Sequence, residues 1–264
     1  MGPIITFLSD YGLSDDFVGV CHAVIAGISR EARVIDLVHC VPPGDVRAGA
    51  LLLQGAVPYL PVGVHLAVVD PGVGGDRRGV ALRAADGRLL VGPDNGLLSL
   101  AADRGGGVVE AVDIGRSPFA LPFVSATFHG RDIFAPVAAH LAGGAALADA
   151  GEPCDPAGLA VVELRRPRVV DGVLVAHVLY VDRFGNAQLD VEEPAFELGG
   201  MLTMVTASGR SEHARYVRTF ADVGPDDLLV YEDSYRRLAV AVNGGDAATR
   251  LGVGVDDELR IRLP

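Results

Sequence analysis

Three loops carry residue types that can do chemistry together. The first, Asp70-Pro71-Gly72-Val73-Gly74-Gly75-Asp76-Arg77-Arg78, places an acid and a permanently charged guanidinium at its two ends. Its glycines let the backbone approach a ligand closely. A hairpin loop with a surface ion pair would use the same residues. The second, Thr127-Phe128-His129-Gly130-Arg131-Asp132, offers an imidazole that titrates near neutrality and can serve as acid, base or orienting group. A lone loop histidine is also an ordinary structural residue. In the third, Ser9-Asp10-Tyr11-Gly12, the carboxylate follows an apolar run and can hold two ribose hydroxyls or simply make a turn. Asp16 reads better as the cap of the following helix. Farther along, Asp182-Arg183-Phe184-Gly185-Asn186 joins a ring that can stack on a purine to an amide that can read an adenine edge. Gly-Asn is equally ordinary turn chemistry.

Composition narrows what these loops can do. All 22 basic residues among the 264 are arginines, which excludes a Schiff-base lysine and the lysine of a phosphate-binding P-loop. The formal charge of −12 argues against a nucleic-acid partner and tolerates a cationic ligand, although net charge alone also serves solubility. Cys21, Cys40 and Cys154 fit neither a disulfide framework nor paired zinc ligands, and read as free thiols of a reducing cytoplasm. The histidines form no HExxH or HxH pattern, so neither a metal nor a cofactor is expected. The start, MGPIITFLSD, reads as a strand rather than a signal peptide, and no apolar segment is long enough to span a membrane.

The elements that must position these loops follow from periodicity. Through residue 150, short apolar runs alternate with helical patterns: strands at Ile4–Leu8, Val34–Leu37 and His65–Val69, and helices at Asp16–Ile28, Asp45–Val57 and Asp132–Leu141. Val80–Leu82 and Leu89–Val91 read as a hairpin through Asp86-Gly87, and Asn95 as the start of a short helix. This predicts an α/β N-terminal domain, a central sheet flanked by helices, over 1–150. Residues 151–168, with three prolines and no sustained period, read as a linker. From Val169 to the end the strand-like runs are short and separated by turn residues, among them Ala214–Thr219, which predicts a smaller all-β barrel or sandwich over 169–264.

In these loops the chain resembles the adenosine-forming S-adenosylmethionine (SAM) hydrolases, also called SAM hydroxide adenosyltransferases, which are related to the fluorinases and chlorinases. The resemblance runs nearly end to end through FLSDYG, VVDPGVGGDRR, GPDNGLLS, ATFHGRDIFAP, YVDRFGNAQLD and LAVAVNGGDAA. It implies a homotrimer whose sites lie where one subunit's N-terminal domain meets a neighbour's C-terminal domain. It places the catalytic set on Asp70, Arg77 and His129, with Arg78 adjacent and easily mistaken for the functional arginine. Asp10 falls on the ribose position, Phe184 and Asn186 on the adenine side, and Val242 beside the adenine. Asp182 and Ser234 fall near the methionine end. The halogenases carry Tyr where Asp70 stands, and Ser or Gly near His129 and Gly130, so the resemblance favours a hydrolase. Tyr235 stands where the fluorinase has an arginine on the methionine carboxylate, so that contact does not carry over.

The expected reaction is attack of water or hydroxide on the ribose 5′-carbon with methionine leaving. Arg77 favours the hydroxide form, and either His129 or Asp70 takes the proton. Two rivals use the same loops. A metal-dependent phosphohydrolase would place acids after the first strand, and a non-catalytic SAM or adenosine-binding module would hold the ligand without turnover.

Overall fold

The computed structural model describes residues 2–192 and 196–262. The chain divides into two units, 1–162 and 163–264.

In the first unit, β1 (Ile4–Ser9), α1 (Phe17–Ile28), β2 (Arg33–Val38), α2 (Val46–Ala56) and β3 (Val64–Val68) alternate as their apolar periods predict. β4 (Gly79–Ala84) and β5 (Leu89–Pro93) form the expected hairpin; α3 (Ser99–Arg104), β6 (Val108–Asp113), α4 (Ala135–Ala142) and β7 (Glu152–Pro153) complete the unit. The seven strands run β2-β1-β3-β5-β4-β6-β7, with β2, β1, β3 and β5 parallel. Both β1 and β3 are almost wholly buried, which is why they read as continuous apolar runs. Ile5, Phe7, Leu66 and Val68 pack with Cys21 and Ile25 of α1 and with Phe134 and Val137. Burial pushes the Cys21 thiol up to about 12, so it packs as a small apolar group.

Three expectations need correction here. Asp45 caps α2 by accepting from the Ala48 amide at 2.9 Å, but the side chain of Asp16 makes no cap bond to α1. Asn95 does not start the short helix. It ties the end of β3 by donating to Val69 O at 2.9 Å, and α3 begins at Ser99. Residues 151–162 belong to the first unit rather than to a linker. β7 pairs with β6, and the amides of Ala160 and Val162 donate to Asp94 and Ser99 at 2.8 and 3.0 Å. The prolines erase the period without erasing these partners.

In the second unit, β8 (Arg168–Val170), β9 (Val173–Val181), β10 (Ala187–Glu192), β11 (Met201–Thr206) and β12 (Ser211–Tyr216) precede β13 (Leu228–Glu232), β14 (Arg237–Val242), α5 (Ala247–Leu251) and β15 (Glu258–Arg262). Pairing in the order β10-β14-β13-β12-β11-β15-β9 closes into a seven-strand barrel when β9 also pairs with β10. The long β9 shares one edge between β8, opposite Val173–Val175, and β10, opposite Val178–Val181. β12 lies three residues earlier than the Ala214–Thr219 expected, and it runs parallel to β13. Leu189, Met204, Val230, Val240 and Ile261 fill the interior.

Candidate active site

Asp70 leaves the carboxyl end of β3, and Asp10 leaves that of β1, its parallel neighbour, in the register Ser9↔Val68. Ligands collect at such ends because loops and free backbone groups converge there. The loop after Asp70 folds back so that Arg77 meets it edge-on: Nε donates to Oδ1 at 2.8 Å and Nη2 to Oδ2 at 2.5 Å. The same Nη2 lies 2.8 Å from Nδ1 of His129. A guanidinium has no lone pair to offer, so Nδ1 must be the acceptor. His129 is therefore neutral here, with its proton on Nε2. Burial lowers its pKa below the ordinary 6.5, and the Arg77 charge adds to that effect. Sequence reasoning picked these three residues from two separate loops, and the fold brings them into one hydrogen-bonded chain.

The neighbours fix that chain. Phe134 lies beneath both cationic and imidazole groups, with the Arg77 guanidinium carbon 5.2 Å from its centroid and the His129 ring edge-on at 6.5 Å. Phe134 follows in a π-turn, Gly130–Phe134, that leads from His129 into α4. The fully buried Asp132 gathers the loop ahead of it, accepting from the Ser125 amide and hydroxyl at 2.8 and 2.7 Å and from Arg131 Nε at 2.6 Å. Gly74, at φ +77°, has its open side against the Ala126 carbonyl, so a side chain would push the loops that carry Arg77 and His129 apart. Tyr11 packs edge-on to Phe128 at 5.6 Å, and its hydroxyl occupies the space a Gly130 Cβ would need. Burial raises the Tyr11 phenol well above its usual range, with the Asp10 and Asp70 charges adding to it, so it stays protonated.

Asp10 is held by the backbone: its Oδ2 accepts from the Gly44 amide at 2.8 Å. Arg78 turns to a different partner. Its Nε and Nη2 reach Asp94 Oδ2 at 2.9 and 2.5 Å, and Nη2 donates to Gly158 O at 2.7 Å. Arg77 is thus the arginine that joins Asp70 to His129, whereas Arg78 is a latch on the 156–162 segment. A groove of about 800 Å³ opens beside Arg77 and His129, lined also by Asp76, Arg116, Asp149 and Glu152.

In the second unit, Asp182 organises its own loop. Its Oδ1 accepts from the Phe184 and Asn186 amides at 2.8 and 3.0 Å, and its Oδ2 from the Asn186 side chain at 2.8 Å. That fixes the Asn186 amide with its oxygen left to accept. Phe184 is 64% exposed with the Arg183 guanidinium carbon 4.9 Å from its centroid. Ser234 sits in the turn between β13 and β14, where Asp233 accepts from the Tyr235 and Arg237 amides at 2.8 and 2.9 Å. Val242 ends β14 as part of the barrel core rather than on the surface. Gln188 reaches Asp233 at 2.5 Å, and Tyr231 has its phenol pushed up to about 12 by burial, then by Asp182 and Asp233. Sequence reasoning did not single out Tyr11, Phe134, Tyr231 or Asp233. For Phe134 the signal was available: it lies in the same short motif as His129.

A family profile described as SAM hydroxide adenosyltransferase N-terminal domain matches residues 5–151, and the corresponding C-terminal domain matches 176–260. A protein of Salinispora tropica named (R)-S-adenosyl-L-methionine hydrolase is 55% identical over 98% of this chain and 97% of its own. One of the same name from Thermus thermophilus is 43% identical with both chains covered in full. A fluorinase of an Actinoplanes species is 28% identical over 93% of each chain. Among solved structures, an uncharacterized conserved protein of Thermotoga maritima superposes with a TM-score of 0.91 at 35% identity, covering 98% of this chain and 99% of its own.

Proposed function

The chain belongs to the SAM hydroxide adenosyltransferase family, and we propose that it hydrolyses S-adenosyl-L-methionine, in the (R)-sulfonium form that its relatives' names specify, to adenosine and L-methionine. The observation that carries this reading is the chain Asp70–Arg77–His129 at 2.5–2.8 Å.

In the reaction a water oxygen forms a bond to the ribose 5′-carbon as the carbon–sulfur bond breaks. The electron pair goes to sulfur, which leaves as a neutral thioether and needs no acid. One water proton must be removed. Nδ1 of His129 is engaged by Arg77 and Nε2 carries a proton, so His129 donates to the nucleophile and orients it. Asp70 keeps lone pairs that Arg77 does not use, and it receives the proton. Arg77 stays charged and favours the hydroxide-like oxygen, while Asp70 offsets its repulsion of the sulfonium. Holding the oxygen in line with sulfur is worth about 7–11 kcal/mol in favourable cases.

Asp10 binds the ribose hydroxyls with the carboxylate that Gly44 steadies. Asn186 and Phe184 take the adenine with Val242 behind them, and Asp182 and Ser234 lie toward methionine. The site is completed in a homotrimer, the second unit of a neighbouring subunit supplying its loop. The exposed Leu13, Phe17 and Phe123 of the first unit and Phe184 and Tyr235 of the second support that assembly, since a partner would cover them. Free thiols at all three cysteines fit a cytoplasmic protein. Among the described residues, no helix is long and apolar enough to cross a membrane.

The test is incubation of each sulfonium epimer in ¹⁸O-water, with products separated and weighed. Label in the adenosine 5′-hydroxyl and none in methionine is expected, with turnover indifferent to chelator. Binding without product would leave a sensing module, and chelator-sensitive turnover would restore the metal-dependent rival.

A further inference from the structure

We propose that His22, Asp36 and His39 bind one divalent transition-metal cation of the zinc class, at a site apart from the catalytic chain. Among the described residues they are the one group of three or more His, Cys, Asp or Glu whose ligand atoms lie close enough, all within 4.8 Å. His22 comes from α1, Asp36 from β2, and His39 from the loop that leaves β2. Nε2 of His22 and Nε2 of His39 stand 2.8 and 2.9 Å from the same Asp36 Oδ1.

The independent observation is at His39. Its side chain is only 3% exposed, and its buried Nε2 faces the Asp36 carboxylate oxygen at 2.9 Å, aimed into the cluster. A cation seated between the two groups would take that buried nitrogen and the carboxylate oxygen together as ligands. The other ring nitrogen is already placed as a metal-bound histidine requires: Nδ1 lies 2.7 Å from Ser9 Oγ, which can accept its proton and fix the ring. Phe7 packs edge-on to the same ring at 4.7 Å. His22 and Asp36, at 34% and 44% exposed, leave the cluster open to solvent for entry and for a water ligand. Two imidazoles and one carboxylate select a zinc-like ion over magnesium or calcium, which prefer oxygen ligands. A tetrahedral ion would separate neighbouring ligand atoms to about 3.3 Å, a small spreading that the exposed His22 and Asp36 can accommodate.

The consequence is mechanical. Ser9 precedes Asp10, and the Gly12 amide donates to His39 O at 2.6 Å. A cation would therefore brace α1 and β2 against the loop that carries Asp10, without touching the reacting atoms.

The experiment titrates zinc into chelator-treated protein, reading stoichiometry by calorimetry and Tm by thermal melting. One equivalent per chain is expected, with Tm raised by about 5 °C at a hundredfold excess over Kd. His22→Ala and Asp36→Asn, both at solvent-open positions, should each weaken binding by at least about 10–100-fold, the range seen even for loss of an outer partner. Cys40→Ser should leave binding unchanged, because that exposed thiol is outside the cluster. No saturable binding by the unaltered protein, or equal binding by the two ligand variants, would overturn the proposal.

Discussion

The Arg77 guanidinium donates to Nδ1 of His129 across 2.8 Å while its other edge is locked on Asp70. Because arginine can only donate, this contact sets the tautomer of the histidine and keeps it uncharged. Protonating Nδ1 would turn two N–H groups toward each other and break the chain. Activity should therefore be full above the pKa of His129 and fall as pH drops through it. That pKa is lowered by burial and Arg77, so the acid limb of kcat/KM should lie below 6.5. A limb at or above that value would contradict the assigned tautomer.

Replacing His129 by Ala removes the orienting donor and should lower kcat by roughly 10²–10⁴-fold. Substrate binding should survive, since Asp10 and the second-unit loop are untouched. Asp70→Asn should lose turnover to a similar degree, because the amide cannot take a proton. Single-turnover rates and equilibrium binding, measured together, separate the two effects. Near-normal turnover in either variant would remove that residue from the chemistry.

Adjacent arginines should behave in opposite ways. Arg77→Lys loses the fork that spans Asp70 and His129 at once, so kcat should collapse with little change in Tm. Arg78→Lys gives up the contacts to Asp94 and Gly158 O, which should cost about 1–2 kcal/mol of stability and leave kcat nearly intact. A paired assay of melting and turnover decides. If Arg78→Lys is the inactive variant, the two roles are exchanged.

The sequence exposed most of the frame for a physical reason. Parallel strands buried on both faces must be continuous apolar runs, so β1 and β3 announced themselves, and with them the loops at Asp10 and Asp70. What stayed hidden depends on partners distant in sequence. The 151–162 segment looked like a linker because the bonds that tie it down reach Asp94 and Ser99, far away in sequence. The parallel pairing of β12 with β13 leaves no local pattern. The His22–Asp36–His39 group has no motif spacing, because β2 and α1 bring its members together only after folding. Asp70, Arg77 and His129 could be singled out by type and resemblance, but which nitrogen of His129 bears the proton required the fold.

Gly130 should tolerate no side chain while Tyr11 stands beside it. A Cβ there would fall on the Tyr11 hydroxyl, and overpacking of this kind typically costs about 1–3 kcal/mol. Gly130→Ala should therefore lower stability and disturb its neighbour His129. Adding Tyr11→Phe deletes the hydroxyl and leaves Cζ as the nearest ring atom at 3.1 Å, so the double variant should recover part of the loss. A double-mutant cycle in urea should show coupling above about 0.5 kcal/mol. Additive effects would mean that the hydroxyl is not what excludes larger residues.

Acid sensitivity should trace in part to a histidine with no role in the reaction. His65 lies fully buried in β3, with Nδ1 2.8 Å from Thr6 Oγ1 on β1 and Nε2 without a hydrogen-bond partner. Burial, with a smaller contribution from Arg88, lowers its pKa from 6.5 to about 4. Between those values the unfolded chain binds a proton that the folded chain refuses, so stability falls as pH drops from 6.5 and levels off near 4. At about 1.4 kcal/mol per pH unit, the loss from this residue is about 3 kcal/mol. Replacing both partners with apolar residues, Thr6→Val with His65→Leu, should be nearly neutral at pH 7.5 and should flatten the acid slope. Urea midpoints measured across that range provide the check. An unchanged slope in the double variant would show that the acid sensitivity comes from other groups.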